Sequence, residues 1–180
     1  MPEAVIVATA RSPIGRAMKG SLTTIRPDDL STQIIEALLA KVPELDRNTV
    51  EDLIMGCGQP AGESGNNIAR HVAVMSGMPN VPGVTVNRYC SSSLQTTRMA
   101  AHAIRAGEGD VFISAGIETV SRYMNGMADD GPHNEKFADA IAHSMNVEPG
   151  QRSTVEASSL TEVPGGATCR IVEVQRTASV

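Results

Sequence analysis

The strongest constraint on the fold is a regular alternation of short apolar runs with longer amphipathic segments. Four apolar runs rich in β-branched residues predict strands, over residues 4–9, 50–56, 84–87 and 111–116. Apolar residues at a helical period predict three helices between them, over residues 28–42, 68–76 and 91–106. This order predicts an α/β fold, a layered domain with a mostly parallel mixed sheet and helices on its faces.

The same patterns predict burial and helix ends. The first strand, residues 4–9, is expected to be buried because it is almost wholly apolar. Gly77 and Gly107 are well placed to end the second and third helices. The residues expected on the buried helix faces are Ile68, Val72 and Met75 in the second helix, and Leu94, Thr97, Ala101 and Ile104 in the third.

Composition excludes several classes of function. Apolar residues make up 41% of the chain, enough for a core, and 15 Lys and Arg against 20 Asp and Glu give a net charge of −5. An acidic chain with few aromatic residues is not expected to bind nucleic acid. No apolar stretch approaches the roughly 20 residues that span a bilayer, and the first residues lack a secretory pattern. Three cysteines without metal-type spacing predict no metal site and a cytoplasmic protein.

The character of the chain changes after residue 140. Residues 151–180 contain eight Ser or Thr residues together with Pro164 and two adjacent glycines. Only Cys169–Gln175 has the composition of a strand there. We therefore predict a domain over residues 1–140 and a weakly specified tail over residues 141–180.

Cys90 is the candidate for chemistry. A predicted strand ends just before it, a tight turn follows, and a helix begins at the cysteine. Unpaired N–H groups at a helix N-terminus stabilise a thiolate and can donate to an oxyanion. The small residues 91–93 leave room for a substrate near the sulfur. The alternative is that Cys90 is a buried small residue, as many cysteines are.

The segment around Cys90 resembles the nucleophile region of the thiolase family, the acetyl-CoA acetyltransferases or 3-ketoacyl-CoA thiolases. The residues that carry the resemblance are NRYCSSSLQ and the following TTRMAAHAIRAGEGDVFISAGIETVSR. The opening AVIVATARSPIGR resembles the first strand and loop of that family, and CGQPAGESGNNIARHVAVMSGMP resembles its glycine-rich loop and next helix. The similarity covers roughly residues 3–140, the N-terminal part of the family.

The resemblance implies acyl transfer in two half-reactions. The matched Cys90 would attack the keto carbonyl of a 3-ketoacyl-CoA, release acetyl-CoA, and pass the acyl group to coenzyme A. The partners are therefore acyl-CoA and CoA, with the coenzyme A thioester as substrate and no cofactor. The backbone N–H of Cys90 would contribute to an oxyanion hole. Glu118 and Ser121, in GIETVS, match a signature near the active-site loops and are interpreted as scaffold.

The chain also departs from the family pattern. Ser93 stands where the family often has glycine, and neither a Gly-His-Pro nor a Cys-Gly-Gly-Gly motif occurs. Cys169 does not match the second catalytic cysteine. None of the four histidines has the family's context; they are His71, His102, His133 and His143.

Three hypotheses follow. The first is a thiolase-type acyltransferase that is truncated and is inactive or weakly active alone. The second is a non-catalytic half-thiolase that pairs with a complementing chain that supplies the missing half; association into a homo-oligomer is a separate expectation. The third is a truncated product whose tail is read in a shifted frame.

Two other motifs have weaker interpretations. Residues 56–61 resemble a dinucleotide-binding glycine pattern, but no acidic residue lies at the spacing needed for the ribose. Glycines that make turns are the better interpretation. Arg11 and Arg16 could steer the phosphates of coenzyme A, but a structural role with loop carbonyls is favoured.

Overall fold

The computed structural model describes residues 3–125, 127–128 and 168–174. Five strands and three α-helices lie within these ranges, together with turns and short 3₁₀ segments. The strands are β1 (Glu3–Ala10), β2 (Asp52–Gly56), β3 (Gly83–Val86), β4 (Val111–Gly116) and β5 (Thr168–Val174). The helices are α1 (Pro27–Leu39), α2 (Ile68–Met75) and α3 (Ser92–Ala106).

The strands form one sheet in the order β1-β5-β4-β2-β3. All four pairings between described strands are parallel. The predicted α/β class is confirmed, as are the four predicted strands, although the ends of the first three shift by one or two residues. The antiparallel pairing that a mixed sheet requires does not occur among the described strands.

Strand β5 occupies an interior position in the sheet. Its Ile171 is in register with Ile6 of β1 on one side and with Phe112 of β4 on the other. The sequence had suggested a strand at Cys169–Gln175, which agrees closely with this element. The remainder of the proposed tail lies outside the described residues, so the domain boundary at residue 140 stays a prediction.

Alternate residues of the central strands face two separate apolar clusters, as strand geometry requires. Leu53 and Met55 of β2 face a cluster that includes Ile35 of α1 and Val72 of α2. Ile54, between them, packs in a second cluster with residues of α3; its other fully or nearly buried members are Ala100, Ile104 and Phe112. The core therefore lies on both faces of the sheet, in three layers, with α1 and α2 on one side and α3 on the other.

Helix α1 begins where its local sequence favours a start. Pro27 occupies the first turn, where its missing N–H costs no hydrogen bond, and Asp28 and Asp29 follow it. Arg26 donates hydrogen bonds to both carboxylate oxygens of Asp28, at 3.0 and 2.8 Å. Burial raises the pKa of Asp28, but the hydrogen bond and charge of Arg26 outweigh it, and the net effect is a lowered pKa.

Both predicted helix ends are confirmed. Gly77 has φ +71° and Gly107 has φ +78°, the left-handed conformation that glycine adopts without steric cost. In each case the glycine lies just after the last helical turn.

Three burial predictions were wrong. Strand β1 contains no buried residue, and Ile6 is 49% exposed, because β1 lies at the edge of the sheet. Met75 of α2 is exposed, and small residues, Ala69 and Ala73, share the buried face with Ile68 and Val72 instead. Leu94 of α3 is 73% exposed. The helix is rotated so that its buried stripe consists of Ser92, Thr96, Ala100 and Ile104.

No helix in the described part of the chain has both the length and the apolar character needed to cross a membrane.

Candidate active site

The segments that follow three neighbouring strands meet at the C-terminal edge of the sheet. β2 and β4 both end at a glycine, Gly56 and Gly116, and β3 ends at Val86. The N–H of Cys57 donates to the carbonyl of Val86 at 3.0 Å, and the N–H of Ile117 donates to the carbonyl of Gly56 at 2.9 Å. These bonds hold the three following segments side by side, at the edge where open parallel sheets place their ligand sites.

Cys90 lies at this edge and is exposed. It is the middle residue of a single 3₁₀ turn, Tyr89–Ser91, that leads directly into α3. The helix begins at Ser92, so the thiol precedes the first turn of a 15-residue helix and its N–H groups. Cys57, by contrast, is 1% exposed in the core. The alternative that Cys90 is a buried small residue is therefore wrong.

The residue before Cys90 has an unusual backbone conformation. Tyr89 has φ +48°, in the left-handed region that few non-glycine residues occupy. Two side chains hold this turn. The Oδ1 atom of Asn87 accepts the N–H of Tyr89 at 2.8 Å. The hydroxyl of Ser92 donates to the carbonyl of Tyr89 at 2.7 Å and accepts the N–H of Arg88 at 2.8 Å.

The start of α3 packs closely on the two strand-terminal glycines. A Cβ atom on Gly56 would lie 2.5 Å from the backbone carbon of Ser92 and 2.6 Å from the nitrogen of Ser93. A Cβ atom on Gly116 would overlap the hydroxyl of Ser93. Glycine at position 56 is thus required for the helix N-terminus to approach the sheet edge, because backbone atoms fill the space, whereas a side chain at position 116 would have to displace the Ser93 hydroxyl. This packing fixes where Cys90 lies.

Buried hydroxyl groups fix α3 against β4. The Oγ1 atom of Thr96 and the Oγ atom of Ser114 are 2.8 Å apart, and Thr97 Oγ1 lies 3.0 Å from the same Ser114 atom. Thr96 and Thr97 also donate to the carbonyl of Ser93, at 2.7 and 3.1 Å. The sequence pattern had placed Thr97 in an apolar stripe, whereas its hydroxyl is in fact part of a hydrogen-bonded network.

The peptide of Gly58 is held from both sides. Its N–H donates to Oε2 of Glu118 at 2.7 Å. Its carbonyl accepts the side-chain N–H of Asn87 at 3.1 Å. Glu118 and Asn87 therefore connect the segments after β2, β3 and β4 through a single peptide group.

A second set of contacts anchors the loop that follows β1. The N–H of Met18 donates to the hydroxyl of Ser121 at 2.8 Å. Arg122 forms an ion pair with Glu63 and donates to the carbonyl of Thr24 at 3.2 Å. A cleft lies between residues 12–17 and 118–121, and Cys90 is not part of its lining. We therefore do not assign this cleft as the acyl site.

The predicted site residues differ in what they contact. Glu118 and Ser121 bind backbone groups of neighbouring segments, as a scaffold role requires, while the catalytic role of Cys90 stays a prediction. Asn87 and Ser92 were missed. Their signal was available, since Asn and Ser after a strand favour turns in which the side chain bonds to nearby backbone.

Neither of the two histidines in the described ranges belongs to a site motif predicted from the sequence. His71 and His102 are exposed on α2 and α3. His133 and His143 lie outside the described residues. Across the described part of the chain, no group of three His, Cys, Asp or Glu side chains is placed to hold a metal ion.

Comparison with known proteins assigns the family. Residues 4–165 match the family described as thiolase, N-terminal domain. The chain therefore belongs to the thiolase family, through its N-terminal domain. This confirms the resemblance found around Cys90, and the match extends beyond residue 140.

The curated relatives that the chain matches are named 3-ketoacyl-CoA thiolase. The chain is 46% identical over 123 residues to a 3-ketoacyl-CoA thiolase of Bacillus subtilis, covering 68% of this chain and 31% of the relative. It is 47% identical over 119 residues to a 3-ketoacyl-CoA thiolase of Shewanella loihica, with 66% and 31% covered. A longer match, 36% over 160 residues, covers 88% of the chain and 37% of a 3-ketoacyl-CoA thiolase of Aeromonas hydrophila. The chain spans about a third of the length of these relatives.

Proposed function

We propose that Cys90 is the acyl-accepting nucleophile of a thiolase-type acyltransferase acting on coenzyme A thioesters. The observation that carries the proposal is the position of the exposed thiol, in a backbone turn held by side chains immediately before the first turn of α3. Membership of the thiolase family supports the same chemistry. Relatives named 3-ketoacyl-CoA thiolase favour a role in fatty acid metabolism.

The proposed acylation step uses groups that this edge of the sheet provides. The Cys90 sulfur, as thiolate, attacks the 3-keto carbonyl carbon of the substrate and forms a carbon–sulfur bond. The carbonyl oxygen becomes an oxyanion, for which the N–H of Cys90 is a donor. Collapse breaks the bond between the α- and β-carbons; the electron pair and a proton go to the departing acetyl-CoA. Free coenzyme A then attacks the thioester and restores the thiol.

We propose that the chain alone carries out acylation slowly. The Gly-His-Pro and Cys-Gly-Gly-Gly motifs, which in the family supply the activating histidine and the acid for the acetyl carbon, do not occur in the sequence. One acid–base group typically contributes a factor of about 10² to 10⁴. Acyl exchange at Cys90 should therefore be easier to detect than complete thiolysis, which needs both groups.

The proposal is tested by incubating the full chain with acetoacetyl-CoA and with acetyl-CoA, followed by mass spectrometry of the intact protein and its peptides. We expect an acetyl adduct on the peptide containing Cys90, lost on addition of excess coenzyme A. The buried Cys57 is an internal control, and Cys90→Ser is the matched variant. An adduct that forms equally on Cys57, or that persists in Cys90→Ser, contradicts the proposal.

A second candidate is that the chain is a non-catalytic half-thiolase that pairs with another chain. Its support is that the family match, over residues 4–165, is to the N-terminal domain of thiolases. Sedimentation analysis with and without the remaining part of a relative, expressed as a separate chain, tests it. A mixed species is expected if it is right, and unchanged monomers in both samples would exclude it.

A further inference from the structure

The hydrogen bonds around Gly58 form a continuous path to the residue before the nucleophile. Glu118 accepts the N–H of Gly58 at 2.7 Å, and Asn87 donates to the carbonyl of the same residue at 3.1 Å. The other atom of the same amide group, Asn87 Oδ1, accepts the N–H of Tyr89 at 2.8 Å. One asparagine side chain thus joins the held peptide to the backbone turn that carries Cys90.

We infer that Asn87 and Glu118 are positioning residues for Cys90, acting together through the Gly58 peptide; this inference rests on the proposed function of that thiol. Neither side chain has to touch the substrate in this role. Each acts by restricting the backbone on which the sulfur is carried.

The need for such positioning follows from the conformation of Tyr89. A non-glycine residue at φ +48° is held in a sparsely populated region of backbone conformation, so surrounding contacts must maintain it. The bond from Asn87 is one such contact. If Tyr89 returned to a negative φ, the next residue would change direction relative to α3, and the thiol would lose its place before the helix N-terminus.

The geometry also explains how Glu118, which follows β4, acts on Cys90, which follows β3, although β2 lies between these two strands in the sheet. A Cβ atom on Gly58 would lie 2.8 Å from Oε2 of Glu118 and 3.4 Å from the Cα atom of Tyr89. Gly58 therefore lies between the carboxylate and the strained turn, and a side chain at this position would displace the Glu118 carboxylate. A shift of this peptide, once the Glu118 bond is removed, moves the bonding partner of Asn87.

The first test does not depend on catalysis. Amide hydrogen exchange of Gly58 and Tyr89 is measured by NMR in the full chain, in Glu118→Ala and in Glu108→Ala, whose exposed carboxylate lies in the turn after α3. We expect exchange at both amides to be about tenfold or more faster in Glu118→Ala and unchanged in Glu108→Ala. Faster exchange at Gly58 alone overturns the inference, because Tyr89 would then be held independently of Glu118.

The second test separates positioning from simple damage to the fold. Acylation of Cys90 by acetoacetyl-CoA is compared with alkylation by iodoacetamide, a small reagent that requires access but little orientation. In Glu118→Ala and Asn87→Ala, we expect acylation to fall between about tenfold and 100-fold and alkylation to change less than about threefold. Glu118→Gln, which keeps an acceptor oxygen, should recover most of the acylation rate.

The outcomes distinguish this inference from the proposed function. Equal losses of acylation and alkylation, or no recovery in Glu118→Gln, contradict positioning. An unsubstituted chain that forms no acyl-Cys90 contradicts the proposed function instead, and amide exchange then decides by itself whether Glu118 controls the turn.

Discussion

The hydroxyl of Ser93 occupies the space that a side chain on Gly116 would need. Gly116 is the last residue of β4, and Ser93 lies in the first turn of α3, directly after the turn containing Cys90. The two residues therefore set how closely the helix N-terminus approaches the sheet edge. They also connect a departure from the family, serine where glycine is common, to a specific contact.

This contact predicts a compensating pair of substitutions. Gly116→Ala should destabilise the protein by about 1–3 kcal/mol, because the new methyl group overlaps the Ser93 hydroxyl. Ser93→Gly in the same chain should recover about 1 kcal/mol or more, since it removes the overlapping atom. Urea unfolding of both single variants and the double variant measures the coupling. Losses that simply add would show that the two residues do not meet.

The interior position of β5 predicts a large effect of proline in that strand. Ile171→Pro should cost at least about 2 kcal/mol, because it removes a ladder donor and leaves a partner group unsatisfied. Ile171→Val keeps both the N–H and the β-branched side chain, and should cost clearly less than the proline substitution. Urea unfolding compares the two, and amide exchange in β1 should accelerate in the proline variant, because β1 pairs with β5. Equal stability of the two variants would contradict the described sheet order.

The burial of the Asp52 carboxyl group predicts that the stability of the protein depends on pH. Its Oδ1 atom is buried without a hydrogen-bond partner among the described residues. Burial raises the pKa of Asp52 above its ordinary 3.8, and a hydrogen bond from the backbone of Leu53 opposes this only in part. A raised folded-state pKa means that the native protein binds the proton more tightly. This contribution is complete below pH 3.8 and is lost as the pH rises through the folded-state pKa.

Asp52→Asn should therefore raise the free energy of unfolding at pH 7, by up to about 1 kcal/mol for a group that is partly solvent-screened. No gain is expected at pH 3, where Asp52 is protonated in both states. Urea unfolding at the two pH values makes the comparison, with Glu44→Gln, an exposed carboxylate, as the control. An identical gain at both pH values would exclude the charge as its cause.

The strands and helix ends were predictable because they depend on local pattern. The run Val111–Gly116 was found with its exact limits, and Gly77 and Gly107 were placed where helices end. The rotation of α3 was not predictable in the same way. Leucine normally favours burial, so Leu94 was expected inside. In the fold, Thr96 is inside because Ser114, 18 residues further on, offers its hydroxyl a partner.

The candidate site also contains both residues that the sequence could identify and residues that only the fold reveals. Cys90 could be identified from the sequence alone, because a small-residue turn between a strand and a helix is a local arrangement, and the resemblance added its proposed role. The sequence could not predict the roles of Asn87, Ser92 and Gly58, because these roles depend on which strands end side by side in the sheet.

The sequence by itself determined the elements, their order and the nucleophile candidate, since apolar period, turn residues and helix stops act over a few neighbouring positions. Only the tertiary structure decided that β1 is an exposed edge and that β5 lies inside the sheet. It also decided that Glu118 reaches the Gly58 peptide, 60 residues away in the chain. The physical reason is that hydrogen bonds and packing between distant segments form only once the sheet brings the ends of its strands together.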